Sequence, residues 1–202
     1  MIKAQTLKGF RDFLPQEAKK RQFVINTLKK VFESYGFEPL ETPALEYEEI
    51  LLGKYGLEGD KLMYRFEDNG KRKVALRYDQ TVPLARVVAQ YGSASSPQVL
   101  PMPFKRYQIQ NVWRAENTQK GRFREFLQVD ADIVGSSSVL SDLEILACVN
   151  ASMKNLGFQD FSILLNSRKV FDMFGANKKI MNILDKEDKI GKDKVLGLLS
   201  EV

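Results

Sequence analysis

Residues 104–135, FKRYQIQNVWRAENTQKGRFREFLQVDADIVG, hold this chain's densest set of side chains able to do chemistry. Successive residues of a strand face opposite sides, so parity sorts them. Before the polar stretch 116–121 the even positions are Arg106, Gln108, Gln110, Val112, Arg114 and Glu116, opposed by Tyr107, Ile109 and Trp113. After it, Arg124, Phe126, Gln128, Asp130 and Asp132 oppose Leu127, Val129, Ala131 and Ile133. Two strands joined by a Gly-containing loop would thus share an apolar face and a face of cations, amides and carboxylates. Such a face can be the wet side of an antiparallel sheet. Lys and Glu would be its usual filling, whereas Arg, Gln and Asp in close order suit bidentate recognition of a planar or anionic ligand. On pattern alone both readings stand.

What the chain lacks narrows the chemistry. Its 202 residues contain no histidine and one cysteine, Cys148, set among apolar residues of an expected helix. That excludes Ser-His-Asp and Cys-His hydrolases, argues against zinc, and makes Cys148 a buried structural thiol. Chemistry must then rest on carboxylates, arginines, lysines and bound metal. With 44% apolar and 28% charged residues the chain is an ordinary globular protein, and a net charge of +5 names no partner by itself. The opening MIKAQTLKGF lacks the apolar core of a signal peptide, and no run reaches a membrane span, so the cytoplasm is the expected compartment.

The elements that must position these residues follow from periodicity and punctuation. Residues 16–35 read as an amphipathic helix, with Val24, Leu28, Val31, Phe32 and Tyr35 on one face, Pro15 ahead and Gly36 behind. Pro39 and Pro43 make 37–45 extended and edge-like. Residues 63–66 and 73–78 form a hairpin around Asp68-Asn69-Gly70, followed by a helix over 83–90 and a polar loop over 92–97. A helix over about 139–156 has Ser141 and Glu144 at capping-box spacing and Gly157 as its stop. Residues 161–165 read as a buried strand, and from Arg168 the chain is helical and Lys-rich.

Five ordered blocks together resemble the catalytic domain of histidyl-tRNA synthetase, a class II aminoacyl-tRNA synthetase, over essentially the whole chain. KGFRDFLP (8–15) is similar to its amino-terminal signature, GFEPLETPALE (36–46) to motif 1, and LRYDQTVPLAR (76–86) to a substrate-binding strand. FKRYQIQNVWRAE with QKGRFREFLQVDADIVG resembles motif 2 in its histidyl form, and DKEDKIG (185–191) the start of an inserted domain. The resemblance implies an α+β fold, a class II synthetase-type antiparallel sheet flanked by helices. It is incomplete here, since nothing resembles motif 3 or the anticodon-binding domain. Residues 1–167 would be the catalytic core and 168–202 the start of the insertion. The chain alone is accordingly expected to be an inactive or partial fragment.

The same resemblance assigns roles. The parent activity is ATP-dependent activation of histidine and its transfer to tRNA(His), in a homodimer built on motif 1. Arg114 would clamp the α-phosphate and the substrate carboxylate, Glu116 accept from the adenine amino group, and Arg122 reach the terminal phosphates. Gln119 and Lys120 would touch the tRNA acceptor end. The histidine pocket would comprise Asp79, Gln80, Thr81, Arg114, Gln128 and Asp132, with Asp130 left between a binding and a structural role. Mg²⁺ would travel with ATP, its ligands unassigned. Two other classes remain: a histidine-sensing regulatory paralogue on the same fold, and a basic RNA-binding module. The intact loop over 119–124 disfavours the first. The second would show a steep salt dependence and leaves Asp79 and Asp132 unexplained.

Overall fold

Pro15 starts and Gly36 stops the first helix, as expected. In the computed structural model, which describes residues 2–93, 97–173, 175 and 178–200, this helix is α1, Pro15–Ser34. Gly36 follows its cap with φ +75°, a conformation side chains resist. The extended segment supplies two short strands, β1 (Glu38–Pro39) and β2 (Leu45–Tyr47). After the short helices α2 (Glu48–Leu51) and α3 (Gly56–Lys61), β3 (Arg65–Glu67) and β4 (Lys73–Leu76) make the expected hairpin. Asp68 closes its turn by accepting from the amides of Gly70 and Arg72, both at 2.9 Å. Helix α4 (Thr81–Tyr91) follows; of the expected loop over 92–97, residues 94–96 lie outside the described residues.

The long hairpin is β5 (Phe104–Trp113) and β6 (Glu125–Val134), antiparallel and in unbroken register from Phe104 opposite Val134 to Trp113 opposite Glu125. β1 joins β5 in parallel, giving the order β1-β5-β6, while a second sheet runs β2-β4-β3. Helix α5 (Val139–Asn155) returns across the first sheet. The odd positions of the hairpin meet both long helices: Val31, Phe32, Phe37, Tyr107 and Cys148 form the core, with Ile109, Ala131, Ile133 and Ile145 packed around it. Each large apolar side chain buried there contributes roughly 1.5–3 kcal/mol. Cys148 is buried, and burial pushes its thiol pKa up, as a structural role requires.

Opposite that core lies a polar interior. Arg106 and Gln108 are fully buried, and Gln108 Nε2 donates to Thr42 Oγ1 at 2.8 Å and to Gln110 Oε1 at 2.6 Å. Arg77, 3% exposed, donates from Nη1 to the carbonyls of Thr42 (2.6 Å) and Pro43 (3.1 Å) and from Nε to that of Asn111 (2.8 Å). One guanidinium therefore ties the extended segment behind β2 to β5, joining the two sheets. The even face is neither wet nor wholly ligand-facing along β5. Much of it is a buried hydrogen-bond network.

Three expectations need correction. The strand through LRYDQT ends at Leu76, because Arg77 turns inward and residues 77–80 become the turn into α4. The Ser141–Glu144 capping box does not form: Ser138 caps α5 through Leu140 N at 3.2 Å, and Glu144 instead accepts from Lys105 Nζ. Residues 161–165 are not a strand among the described residues, and Leu164 is 95% exposed. A strand needs a paired neighbour to satisfy its backbone, and among the described residues no strand pairs with this segment.

The chain divides into two compact units, Met1–Gln159 and Asp160–Val202, ahead of the composition shift at 168. The second carries α6 (Arg168–Met173), α7 (Lys178–Leu184), α8 (Glu187–Ile190) and α9 (Lys192–Leu199). Within it, Ile183 and Val195 are buried. Among the described residues no helix is long and apolar enough to cross a membrane.

Candidate active site

Arg114 emerges from the end of β5, where its amide still pairs with the Arg124 carbonyl at 2.9 Å. Its side chain is fixed from three sides. The guanidinium carbon sits 4.5 Å from the Tyr78 ring centroid and 5.2 Å from that of Phe126. Nε donates to the Tyr78 carbonyl at 3.1 Å, and Nη2 to Gln128 Oε1 at 3.4 Å. Aromatic faces attract the cation while leaving its in-plane donors for a ligand. This is how a bidentate anion clamp is held ready without a carboxylate to neutralise it.

From Arg114 an alternating row runs along β6. Gln128 Nε2 donates to Asp130 at 2.9 and 3.1 Å; Asp130 lies 3.9 Å from Arg106, and Arg106 lies 2.6 Å from Asp132. The last pair meet as charges without the alignment of a hydrogen bond, and Arg106 Nε has no partner among the described residues. Burial lowers the Arg106 pKa, which Asp132, Asp130 and Asp79 oppose. Burial raises the Asp132 pKa, Arg106 pulls it down, and Asp130 raises it again. Its carboxyl is thus harder to ionise folded than unfolded, so ionising it costs stability as pH climbs from 3.8 through the raised value. A cationic ligand beside Asp132 would offset that cost.

The segment ahead of α4 sends its side chains to different places. Asp79 Oδ1 accepts from Tyr55 Oη at 2.7 Å and from the amides of Thr81 (3.0 Å) and Val82 (3.3 Å), so one oxygen anchors the helix start. Burial, then the Asp79 hydrogen bond, raises the Tyr55 pKa far above its ordinary value, keeping it a proton donor to a carboxylate. Thr81 is exposed. Gln80 is fully buried, donating to the carbonyls of Gln110 (3.0 Å) and Gln128 (3.1 Å), which makes it a tie beneath the β5–β6 pair. Its Oε1 has no partner among the described residues.

Beyond Arg114 an open cleft of about 540 Å³ is lined by Arg11, Arg114, Glu116, Arg122, Phe123 and Phe126. Its three guanidinium groups face one carboxylate, and Glu116 lies 3.7 Å from Arg122. Cleft and acid row meet at Arg114. The structure therefore sets Glu116 and Arg122 on one side of Arg114, and Gln128 and Asp132 on the other. Gln119 and Lys120 are exposed at the loop tip, where a turn bond links Arg122 N to Gln119 O at 2.9 Å. Sequence reasoning missed Arg106, Tyr55 and Arg11. Arg106 and the acids of the second strand were visible on one face in the sequence, but the register that sets Arg106 opposite Asp132, and its burial, were not. No group of three or more His, Cys, Asp or Glu side chains among the described residues could hold a metal ion.

Comparison with known proteins bears on this geometry. The family model described as Histidyl-tRNA synthetase matches residues 9–187. The chain is 48% identical to a histidine–tRNA ligase of Wolinella succinogenes and 46% identical to one of Treponema denticola, in each case over all of this chain and 46% of the relative. The chain thus spans about half the length of the curated relatives it matches. A crystal structure of histidyl-tRNA synthetase from Nostoc sp. superposes with a TM-score of 0.79 at 34% identity, covering 96% of this chain and 46% of that one. A Bacillus halodurans structure, described as an ATP phosphoribosyltransferase regulatory subunit/histidyl-tRNA synthetase, gives 0.66 at 27% identity over 77% of this chain and 39% of that one.

Proposed function

The chain belongs to the histidyl-tRNA synthetase family, and from that we propose that the protein activates histidine with ATP and transfers it to tRNA(His). The observation that carries the proposal is the meeting, at Arg114, of an arginine-lined cleft with a row of amides and carboxylates. In the first step the histidine carboxylate forms a bond to the α-phosphorus while the α–β anhydride bond breaks and pyrophosphate leaves. In the second, a hydroxyl of the tRNA's terminal ribose takes the histidyl group and AMP leaves. Neither step needs a protein nucleophile, which agrees with a chain lacking histidine and an activated thiol. Arg114 would hold the reacting carboxylate and α-phosphate together and match the charge developing between them.

The other side chains divide the ligands. Glu116 would exchange its contact with Arg122 for the adenine amino group, freeing Arg122 for the terminal phosphates. Asp132 and Gln128 would read the imidazole and ammonium of histidine, and Asp79 and Thr81 would bound the ammonium. Gln80 would act from beneath by holding the strands that carry Gln128. Gln119 and Lys120 would meet the tRNA acceptor end. Mg²⁺ is expected to arrive on ATP; among the described residues no group of three or more His, Cys, Asp or Glu side chains gathers to hold it. The intact 119–124 loop favours this reading over a purely regulatory histidine sensor, which has no use for a loop facing tRNA.

Asp132→Ala and Gln128→Ala are expected to weaken histidine binding about tenfold or more while leaving ATP affinity within twofold, since a site built of acceptors loses discrimination when one is removed. Calorimetry with each ligand separates the two; equal losses for both would mean that the sheet, not the pocket, had changed. Class II association is expected through residues 36–46. β1 and β2 there are the outer strands of their sheets, and Leu45 (41%) and Tyr47 (51%) are exposed. Light scattering of folded protein should show a dimer at micromolar concentration, and a strict monomer at high micromolar would contradict it.

A further inference from the structure

The amino-terminal stretch 8–15 is built into the loop that borders the arginine-lined cleft. Gly9 O accepts from Arg124 N at 2.8 Å, and Gly9 has φ +88°. A Cβ at Gly9 would come within 2.7 Å of Thr118 and 2.8 Å of Arg124, so only glycine lets the segment lie this close. Phe10 packs edge-on against Tyr64 with centroids 6.2 Å apart, securing the same segment from behind. Next in sequence, Arg11 lays its guanidinium 3.2 Å from the centroid of Phe123, a loop residue, and 4.9 Å from that of Phe13. Arg21 of α1 holds the Phe13 ring at 3.8 Å.

Arg11 thus lines the cleft, and no carboxylate of a described residue pairs with it. Its companions are already engaged: Arg114 with the Tyr78 carbonyl and Gln128, Arg122 with Glu116. A guanidinium stacked on a ring keeps its five N–H donors free in its own plane. A stacked, uncompensated arginine in a cleft lined by two more is suited to a polyanion, not to a single carboxylate.

We propose that Arg11 is a phosphate-binding residue of the ATP site, seated there by the docking of residues 7–13 on the hairpin loop. This rests on the reading of the cleft as the ATP site and adds to it a binding residue contributed from outside the hairpin. Arg11 would bind the β- and γ-phosphates beside Arg122, leaving the α-phosphate to Arg114. Phosphate oxygens of the tRNA acceptor end offer the same chemistry, and the assay distinguishes the two sources.

The test compares wild type, Arg11→Gln and Arg11→Lys in the full-length protein by histidine-dependent ATP–pyrophosphate exchange, which needs no tRNA, with adenosine as a competitive inhibitor. Arg11→Gln should raise KM for ATP and for pyrophosphate about tenfold, the effect of losing a charge-assisted contact. KM for histidine and Ki for adenosine should stay within twofold, because adenosine has no phosphates to lose. Arg11→Lys should recover most of the ATP affinity. If adenosine weakens in parallel with ATP, Arg11 only braces the loop and the inference fails. If exchange is untouched and only KM for tRNA, read by aminoacylation of the same variants, rises, the anion is on the RNA and the inference again fails. A wild-type protein without exchange would overturn the ATP-site reading itself, and this inference with it.

Discussion

Arg114→Ala is expected to lower histidine-dependent ATP–pyrophosphate exchange by about 10²–10³-fold, the loss of roughly 2.7–4 kcal/mol of transition-state stabilisation. The size of the effect follows from where Arg114 sits. It touches both halves of the site, with Gln128 on one side and the arginine-lined cleft on the other. It is also held by Tyr78 and Phe126, so little reorganisation is needed when charge develops. Lysine is expected to rescue poorly, because a point charge cannot span two oxygens in a fixed plane. Stability should change by less than about 1 kcal/mol, since Arg114 is only half-buried and leaves no charged partner stranded. Exchange above one tenth of wild type in a folded variant would remove Arg114 from the reacting centre.

The second large effect concerns the fold. Arg77→Ala is expected to destabilise the protein by about 3–5 kcal/mol, because buried acceptors left without a donor each carry a desolvation penalty. The carbonyls of Thr42, Pro43 and Asn111 would be stranded, together with a bond to Gln110 Oε1 at 3.1 Å. Burial lowers the Arg77 pKa, which the charges of Glu46 and Glu41 oppose, and no carboxylate of a described residue forms a direct ion pair with it. Thermal unfolding should shift down by roughly 10 °C. Since Arg77 joins the sheets behind the site, activity measured well below the transition should fall less than in Arg114→Ala. A melting point within a degree or two of wild type would show that the network closes without Arg77.

These two arginines illustrate what was legible in the sequence. Ten-residue alternation made the β5–β6 hairpin and its two faces plain, and Pro15 with Gly36 bounded α1. Parity tells which residues share a face but not what covers that face. Arg106 and Gln108 share the face of Gln128 and Asp132, yet the first two are fully buried, Gln108 against Thr42, while the latter two are partly exposed on the edge strand. Arg77 stands two residues before Asp79 in the block that resembles a substrate-binding strand, yet the chain turns there and sends its guanidinium inward. The apolar run over 161–165 predicts a strand only if a partner lies alongside, and periodicity within one segment carries no information about its neighbour. The placement of Arg11 was hidden for a similar reason: its ring partner, Phe123, is more than a hundred residues away in sequence.

In the proposed reaction one site, centred on Arg114, couples histidine to ATP. Pyrophosphate exchange by the full-length protein, run with each of the twenty amino acids in turn, tests it most directly. Exchange with histidine is expected at least about 10³-fold above every other amino acid, because a pocket of fixed acceptors rejects side chains that leave them unpaired. Folded protein that binds histidine yet exchanges no pyrophosphate, or that exchanges with another amino acid as readily, would contradict it.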